Sequence, residues 1–251
     1  METLEELYAK LRRLDKVMEA KKKIFDSDYF ENKKFENDNG KCPVLEKAKA
    51  YVSNWEKMKE KNCGLIFLGD VGTGKTFAAA CIANALTDEG VTVRMTSFNN
   101  ALKAVFASDD KDKVFDELCS YDLLILDDFG AERDTSYAVE QLYNLIDKRY
   151  ISGKPLIITT NLSYKELKNP ENMNYKRIYD RILEMCVAIV FRGENMRKAV
   201  AKEKLAFTLS VLDAPKNVQE EGGERTSDRK EETKVVKKIV FHGVMPDEGE
   251  N

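Results

Sequence analysis

The most constraining feature of this sequence is a glycine-rich segment placed between an apolar run and a helical run. Residues 69–76 read Gly-Asp-Val-Gly-Thr-Gly-Lys-Thr and fit the pattern G-x-x-x-x-G-K-[ST] at every position. An apolar run, 64–68, precedes the segment, and an alanine-rich stretch, 77–86, follows it. The order strand, glycine-rich loop, helix predicts a loop whose backbone N–H groups point at phosphate oxygens, with the helix dipole adding to the attraction.

Two polar side chains of this loop have predicted roles. Lys75 would reach the β- and γ-phosphates of a nucleotide, and the hydroxyl of Thr76 would bind Mg²⁺. The strand and helix in the required places argue against a glycine-rich turn that binds nothing. The predicted nucleotide contacts of this segment are Gly69, Asp70, Val71, Gly72, Thr73, Gly74, Lys75, Thr76 and Phe77.

Two further apolar runs end in polar residues. Residues 123–126 lead into Asp127 and Asp128, which places both carboxylates at the edge of a sheet where ligands of α/β proteins bind. Asp127 would hold Mg²⁺, mostly through water, and Asp128 would orient or deprotonate an attacking water; the alternative is that Asp128 only caps the following turn. Another run ends at Asn161, whose amide could contact the γ-phosphate or position water, although Asn is also common in turns.

Five short apolar runs alternate with helical patterns over the middle of the chain. Because the runs are nearly continuous, we expect strands covered on both faces, as in a parallel sheet of an α/β fold. The predicted strands are 64–69, 91–96, 122–127, 155–160 and 187–191. The chain is therefore divided into a charged helical region at 1–62, an α/β domain at 63–212 and a charged tail at 213–251 that we expect to be disordered.

Composition excludes several classes of protein. The 41 Lys and Arg against 44 Asp and Glu give a net charge of −3, which argues against coating nucleic acid by bulk charge. The single histidine, His242, argues against catalysis by His-Asp or Cys-His pairs. The five cysteines are odd in number and lack a C-x-x-C pair, so we expect reduced thiols and no zinc site. No signal peptide and no membrane-spanning run is evident, so we expect a cytoplasmic protein.

Taken together, five strings resemble the AAA+ P-loop ATPases, and within them the DnaC/DnaI-type helicase loaders and their IstB-type transposition relatives. The strings are 64–76, Asp-Asp-Phe-Gly-Ala-Glu at 127–132, Ile-Ile-Thr-Thr-Asn-Leu at 157–162, Arg-Ile-Tyr-Asp-Arg at 177–181 and Gly-Glu-Asn-Met-Arg at 193–197. The resemblance covers roughly residues 40–212. It implies an ASCE-type five-stranded sheet of order 5-1-4-3-2, with ATP and Mg²⁺ as cofactors.

The resemblance also assigns roles to polar residues outside the loop. Asn161 would be the first sensor residue, on a strand between those of the loop and Asp127. Arg181 would be the arginine finger that reaches the ATP site of a neighbouring subunit, with Arg177 as the competing candidate. Arg197 would be the second sensor, acting on the nucleotide of its own subunit. An acidic block at 63–162 (9 basic, 15 acidic) and a basic block at 163–212 (10 basic, 6 acidic) suit subunits that associate through the ATP site.

The resemblance implies a slow, switch-like ATPase that loads a replicative DnaB-type helicase onto single-stranded DNA. A helical stripe of Leu4, Leu7, Leu11, Leu14 and Met18 would dock on the helicase or pack against the protein's own ATPase domain. Phe98 and Lys103 could contact DNA, or could be an ordinary helix start and helix surface. A transposition helper that binds target DNA and a transposase, a small-molecule kinase and a weakly hydrolysing scaffold are the alternatives.

Overall fold

A five-stranded parallel sheet lies at the centre of the chain in the computed structural model, which describes residues 7–8, 24–38, 40, 42, 44–130, 135–193 and 195–212. Its strands run in the order β2-β3-β4-β1-β5. This is the predicted order 5-1-4-3-2 viewed from the other edge, so the predicted fold is confirmed. The strands are β1 (Gly64–Leu68), β2 (Val93–Ser97), β3 (Leu123–Phe129), β4 (Leu156–Thr160) and β5 (Cys186–Val190).

Helices follow the strands, and several begin at a side-chain cap. Ser97, Asp110, Thr135 and Ser163 each accept a hydrogen bond from a backbone N–H of the first turn that follows. The helices are α1 (Leu45–Ser53), α2 (Trp55–Glu60), α3 (Lys75–Asp88), α4 (Phe98–Ala107), α5 (Lys111–Ser120), α6 (Ser136–Ser152), α7 (Tyr164–Lys168), α8 (Lys176–Met185) and α9 (Met196–Leu212). Three short 3₁₀ turns lie at Asp28–Phe30, Phe35–Asn37 and Met173–Tyr175.

Two apolar cores cover the two faces of the sheet. On one face, helices α4, α5, α6 and α8 pack side chains such as Val105, Leu142 and Ile178 against the strands. On the other face, helix α3 lies directly on the sheet through its small alanine side chains, and helix α1 packs outside it. Burial of these faces supplies most of the stability, at about 25 cal/mol per Å² of apolar surface removed from water.

The strands differ in burial according to their position in the sheet. Every residue of β1 and β4 is buried, as the continuous apolar runs predict. Strand β5 departs from this expectation, since Val187 is 61% exposed and Val190 is 48% exposed. Its sequence is as apolar as that of an inner strand, but β5 pairs only with β1 and forms an edge of the sheet. The observed strand ends differ from the predicted ones by one or two residues.

The described part of the N-terminal region is joined to the sheet. Leu45 and Trp55 are buried in the same core as helix α3, as the second predicted stripe requires. The carbonyl of Ile24 accepts a hydrogen bond from the N–H of Met95 at 2.7 Å, and Asp26 pairs with Arg94. A domain boundary at residue 62 therefore stays a prediction. Of the stripe from Leu4 to Met18, only Leu7 lies within the described residues, where it is exposed.

A buried arginine ties together the beginnings of strands β3 and β4. Arg149 of helix α6 is 0% exposed, and its guanidinium donates to four backbone carbonyls. These are the carbonyls of Cys119 at 3.1 Å, Tyr121 at 2.8 Å, Asp122 at 2.9 Å and Pro155 at 2.5 Å. Burial lowers the pKa of Arg149 to about 10, so the side chain stays protonated at neutral pH.

The contacts divide the chain into one unit from Met1 to Phe207 and a second from Thr208 to Asn251. Of the second unit the structure describes residues 208–212, the end of helix α9, and the predicted disordered tail at 213–251 lies outside the described residues. All five cysteines are free thiols. Within the described segments, no helix combines the length and apolar character needed to cross a membrane.

Candidate functional site

The glycine-rich loop connects the end of strand β1 to the start of helix α3, as predicted. All three of its glycines adopt backbone conformations that other residues avoid, with φ of +141° at Gly69, +84° at Gly72 and +96° at Gly74. A Cβ at Gly69 would lie 2.2 Å from the carbonyl oxygen of Phe191, and a Cβ at Gly72 would lie 2.0 Å from Oδ1 of Asn195. The loop is therefore held tightly between its own helix and the segment after β5.

Lys75 lies at the first turn of helix α3 and is 7% exposed. Its ammonium donates to the carbonyl oxygens of Gly69 at 2.6 Å and Asp70 at 2.8 Å, and to Oδ1 of Asn161 at 2.9 Å. Burial lowers its pKa, and the nearby carboxylates of Asp128, Asp70 and Asp127 act against that shift. A cation held in this way can exchange backbone carbonyls for phosphate oxygens at little cost in reorganisation.

Asp127 lies near the end of β3 and faces the first turn of helix α3. Its Oδ1 accepts a hydrogen bond from the hydroxyl of Thr159 at 2.6 Å, and the hydroxyl of Thr76 is a second partner. Burial raises the pKa of this carboxyl, while the hydrogen bonds from Thr159 and Thr76 oppose the shift. Asp127 and Thr76 thus offer two hard oxygen atoms near each other.

These two oxygens fit Mg²⁺ better than a metal that needs an all-protein cage. No group of three or more His, Cys, Asp or Glu side chains arranged for a metal occurs within the described ranges. Mg²⁺ in nucleotide sites is held by one or two protein oxygens, with phosphate oxygens and waters completing its octahedral shell. Thr76 and Asp127 are the described residues that could supply the protein ligands.

Asp128 follows directly and lines the same cavity with an exposed side chain. Its φ of +56° lies in the left-handed region, which is uncommon for a residue other than glycine. Its backbone N–H donates to Oγ1 of Thr159 at 2.9 Å. The backbone turn takes the carboxylate away from the strand and into the cavity, where it can reach a water molecule. This placement favours the predicted role in orienting water over a role confined to capping the turn.

A cavity of about 800 Å³ brings together many of the predicted residues of the site. Its lining includes Val71, Gly72 and Gly74 of the loop and the residues Lys75, Thr76, Asp127, Asp128 and Asn161. Tyr29, Phe30, Lys33, Asn37 and Asp38 also line it. The volume is within the range of small-molecule sites, and a lining that combines phosphate-binding groups with aromatic residues suits a nucleotide.

The aromatic residues at this cavity were not predicted from the sequence, where residues 1–62 were interpreted as a charged helical region. Helix α3 fixes the segment that carries them, because Nδ2 of Asn84 donates to the carbonyls of Phe30 at 3.0 Å and Lys33 at 2.9 Å. The ammonium of Lys33 lies 4.1 Å from the centre of the Tyr29 ring. The closely spaced aromatic residues Phe25, Tyr29 and Phe30 were the available signal, but they follow neither a helical nor a strand period.

Arg197 lines the cavity from the start of helix α9. The helix is attached to the loop by a hydrogen bond from the N–H of Met196 to the carbonyl of Gly72 at 3.0 Å. The N–H of Arg197 donates to Oδ1 of Asn195 at 3.0 Å. The position of Arg197 at the cavity agrees with the expectation of an arginine that acts on its own subunit's nucleotide.

Arg181 is not among the residues that line this cavity. Nη2 of Arg181 on helix α8 lies 2.6 Å from Oδ1 of Asp147 on helix α6. Its guanidinium carbon lies 4.8 Å from the ring centre of Tyr143 and 5.7 Å from that of Tyr150. The competing candidate, Arg177, is an exposed residue of the same helix. A contribution from either arginine to catalysis would have to reach the cavity of another copy.

The suggested base-stacking role of Phe98 is wrong, because its side chain is 2% exposed and belongs to the core beneath helix α4. Helix α4 begins directly after β2, with Ser97 as its cap, so the ring of its first residue turns into the protein. Lys103 is exposed on the same helix. Phe106 is an exposed aromatic residue in this region, and its ring stacks on the half-buried ring of Tyr137 at 4.6 Å.

Comparison with known proteins identifies the relatives of this chain. Residues 4–204 match the family model of the IstB-like ATP binding protein. YdaV, an uncharacterized protein of Escherichia coli (strain K12), is 32% identical over 157 residues, which cover 61% of this chain and 60% of YdaV, less than two thirds of its length. The replicative helicase loader DnaC of the same strain is 28% identical over 177 residues, covering 68% of this chain and 69% of DnaC.

A solved structure supports the fold independently. The crystal structure of DnaI superimposes with a TM-score of 0.56 and 21% sequence identity, covering 69% of this chain and 95% of DnaI. At this identity the likeness concerns the fold. Together with the family match, it confirms the resemblance to the DnaC/DnaI and IstB group that the sequence motifs indicated.

Proposed function

Since the chain belongs to the family of IstB-like ATP-binding proteins, we propose that it is an ATPase of DNA replication that binds a DnaB-type helicase and helps to place it on single-stranded DNA. The observation that carries the proposal is the convergence of Lys75, Asp127, Asp128 and Asn161 on one cavity. These residues come from three separate segments of the chain, and ATP hydrolysis gives each of them a role. Similarity to a protein named replicative helicase loader supports the choice of client.

Each residue acts on a different part of the reaction. Lys75 and the backbone N–H groups of the loop bind the phosphates, and Arg197 approaches the same nucleotide. Asp128 orients the attacking water, while Asn161 holds Lys75 and can contact the γ-phosphate. Thr76 and Asp127 would hold Mg²⁺, which when bound neutralises charge on the phosphate oxygens and orients them. Because Asp128 is one carbon shorter than a glutamate, its reach is smaller, which suits a slow, switch-like ATPase.

Self-association completes the proposed site. In other nucleotide hydrolases, an arginine that reaches the nucleotide from another subunit increases the rate of hydrolysis about 10³- to 10⁵-fold. Arg181 is held by Asp147 and two tyrosine rings on the surface formed by helices α6 and α8, away from its own cavity. We assign it the role of this arginine in a head-to-tail assembly. Such an assembly would form on ATP and come apart after hydrolysis.

A stacked aromatic pair with one exposed ring supports contact with single-stranded DNA. The ring of Phe106, at the end of helix α4, stacks on the ring of Tyr137, at the start of helix α6, and Phe106 is 64% exposed. The ammonium of Lys111 lies 5.2 Å from the centre of the Tyr137 ring. A base can stack on the exposed ring, and a phosphate can pair with the lysine, which is the usual chemistry of strand binding without sequence preference. We propose this pair in place of Phe98.

A transposition helper that binds target DNA and a transposase is the second candidate, favoured by the description of the matching family. The two candidates share the ATPase and differ in the client. The test is to mix the purified protein with the replicative helicase or with the transposase of the source cell, with ATP, and to measure complex formation by size-exclusion chromatography. A stable complex with the helicase supports the proposal, and a complex with the transposase alone contradicts it.

The partner-binding region can be tested in the same experiment by shortening the N-terminus. A truncation has to end before Ile24, because residues 24–38 pair with β2 and line the cavity. Removal of residues 1–20 should leave ATP binding intact and abolish the complex with the helicase. A shortened protein that still elutes with the helicase would place the helicase contact elsewhere in the chain.

A further inference from the structure

Strand β3 contains one extra residue where it passes the catalytic end of β4. Leu126 pairs with Ile158 and Phe129 pairs with Thr160, so Asp127 and Asp128 both lie opposite Thr159. This is a β-bulge, which commonly re-aims side chains next to active sites. A left-handed backbone at a residue such as Asp128 is unfavourable and persists only where the surroundings hold it.

One hydroxyl group spans the bulge. Oγ1 of Thr159 donates to Oδ1 of Asp127 at 2.6 Å and accepts the backbone N–H of Asp128 at 2.9 Å. Thr159 is 1% exposed, so water does not compete for either bond. Because a hydroxyl has a single proton, its donation to Asp127 and the N–H it accepts from Asp128 together fix its rotation. Where the bulge interrupts the strand pairing, the hydroxyl of Thr159 is the hydrogen-bond acceptor for the backbone N–H of Asp128.

We propose that Thr159 is a positioning residue that sets the geometry of Asp127 and Asp128 together. The inference rests on the proposed ATPase function and adds to it a residue with no predicted role. Thr76 also bonds Asp127, but in the proposed site the Thr76 hydroxyl is engaged by Mg²⁺. Thr159 is then the side chain that continues to hold the Asp127 carboxylate. The same hydroxyl keeps the backbone turn that carries Asp128 into the cavity.

The neighbouring threonine provides a matched control. Thr160 is also fully buried, and its hydroxyl donates to the carbonyl of Phe129 at 2.7 Å and accepts the N–H of Leu162 at 3.0 Å. It therefore makes one donated and one accepted bond, as Thr159 does, but to backbone groups of Phe129 and Leu162 and to neither aspartate. Thr159→Val and Thr160→Val remove the same hydroxyl with almost no change in volume, and Thr159→Ser keeps the hydroxyl.

The experiment measures three properties of these variants. The first is the melting temperature without ligand. The second is ATP affinity by calorimetry, with Mg²⁺ and with EDTA. The third is ATP turnover. In Thr159→Val, most of the gain in ATP affinity that Mg²⁺ provides should be lost. Its kcat should fall about 10- to 100-fold, as for other residues that orient metal ligands. Its affinity in EDTA should be unchanged. Thr159→Ser and Thr160→Val should keep both the Mg²⁺ gain and the turnover.

The outcomes separate this inference from the proposed function. If Thr159→Val retains the Mg²⁺-dependent affinity and the turnover of the wild type, Thr159 has no positioning role. Equal losses in Thr159→Val and Thr160→Val would also overturn the inference, because they would reflect packing alone. If the wild type itself does not bind or hydrolyse ATP, the proposed function fails instead. Should Thr159→Val not fold, Thr159→Cys, which keeps a side chain of similar size with a weak donor, takes its place with the same expectations.

Discussion

Nζ of Lys75 lies 2.9 Å from Oδ1 of Asn161, although 86 residues separate the two in the sequence. The contact joins the glycine-rich loop after β1 to the end of β4, the strand beside it in the sheet. It places the residue that would bind the transferred phosphate next to the one that would sense it. The charged ammonium of Lys75 is the donor in this contact. A phosphate that attracts the ammonium would therefore also change the environment of Asn161.

This contact gives a prediction for Asn161→Ala. The loop and Lys75 remain, so ATP affinity should change little. Turnover should fall about 10²-fold, the cost of removing one preorganised polar group at a site of charge development. Steady-state kinetics compared with ATP affinity from calorimetry checks this result. An unchanged kcat would show that Asn161 is only a turn residue.

The sequence predicted the parts of this site that depend on local chemistry. The loop from Gly69 to Thr76 and the carboxylates of Asp127 and Asp128 follow from residue types at fixed spacing. The position of Asn161 beside Lys75 also required the strand order, which came from the family resemblance. The strand order places β4 between β1 and β3, and the side chains at the ends of these strands then meet.

Other features could not be predicted because they depend on tertiary packing. Tyr29 and Phe30 reach the cavity through hydrogen bonds from Asn84, and no sequence period shows that relationship. Phe98 was expected at a surface, but the start of helix α4 turns it into the core. The bulge at Asp128 follows from the pairing of β3 with β4, which a strand pattern does not reveal.

Arg149→Met should destabilise the protein strongly. The substitution leaves four backbone carbonyls without their buried donor, and one unsatisfied buried group costs about 1–3 kcal/mol. We expect a loss of about 3 kcal/mol or more in the free energy of unfolding, measured by urea denaturation. Lys148→Met is the control, since Lys148 forms a partly exposed ion pair with Asp116 that is worth about 1 kcal/mol at most. Similar losses in both variants would contradict the role of Arg149.

Phe106→Ala should weaken binding to single-stranded DNA. Stacking of one base on an aromatic ring contributes about 1–3 kcal/mol, which corresponds to about 5- to 150-fold in affinity. Fluorescence anisotropy with a labelled oligonucleotide, measured at two salt concentrations, checks this value. Tyr164→Ala is the matched control, because Tyr164 is also exposed and has Lys168 at 5.0 Å from its ring centre, but it belongs to helix α7. Equal effects of the two substitutions would remove the proposed DNA contact.

A mixture of two inactive variants tests the role of Arg181 between subunits. Lys75→Ala subunits lack a working loop, and Arg181→Ala subunits lack the proposed arginine. In an equal mixture with head-to-tail contacts, about a quarter of the interfaces combine an intact loop with an intact Arg181 by random pairing. Turnover should therefore return to about a quarter of the wild-type value. If each variant is inactive alone and the mixture stays inactive, Arg181 does not act in another subunit.

ATP turnover in the presence of single-stranded DNA, compared between the wild type and Lys75→Ala, tests the central claim most directly. Lys75 donates hydrogen bonds to the loop and to Asn161, and the nearby charges of Asp127 and Asp128 favour its protonated form. The proposed function predicts turnover by the wild type and none above background by Lys75→Ala, with both proteins folded by circular dichroism. Wild-type turnover in Lys75→Ala would contradict the assignment of this cavity as the site of ATP hydrolysis.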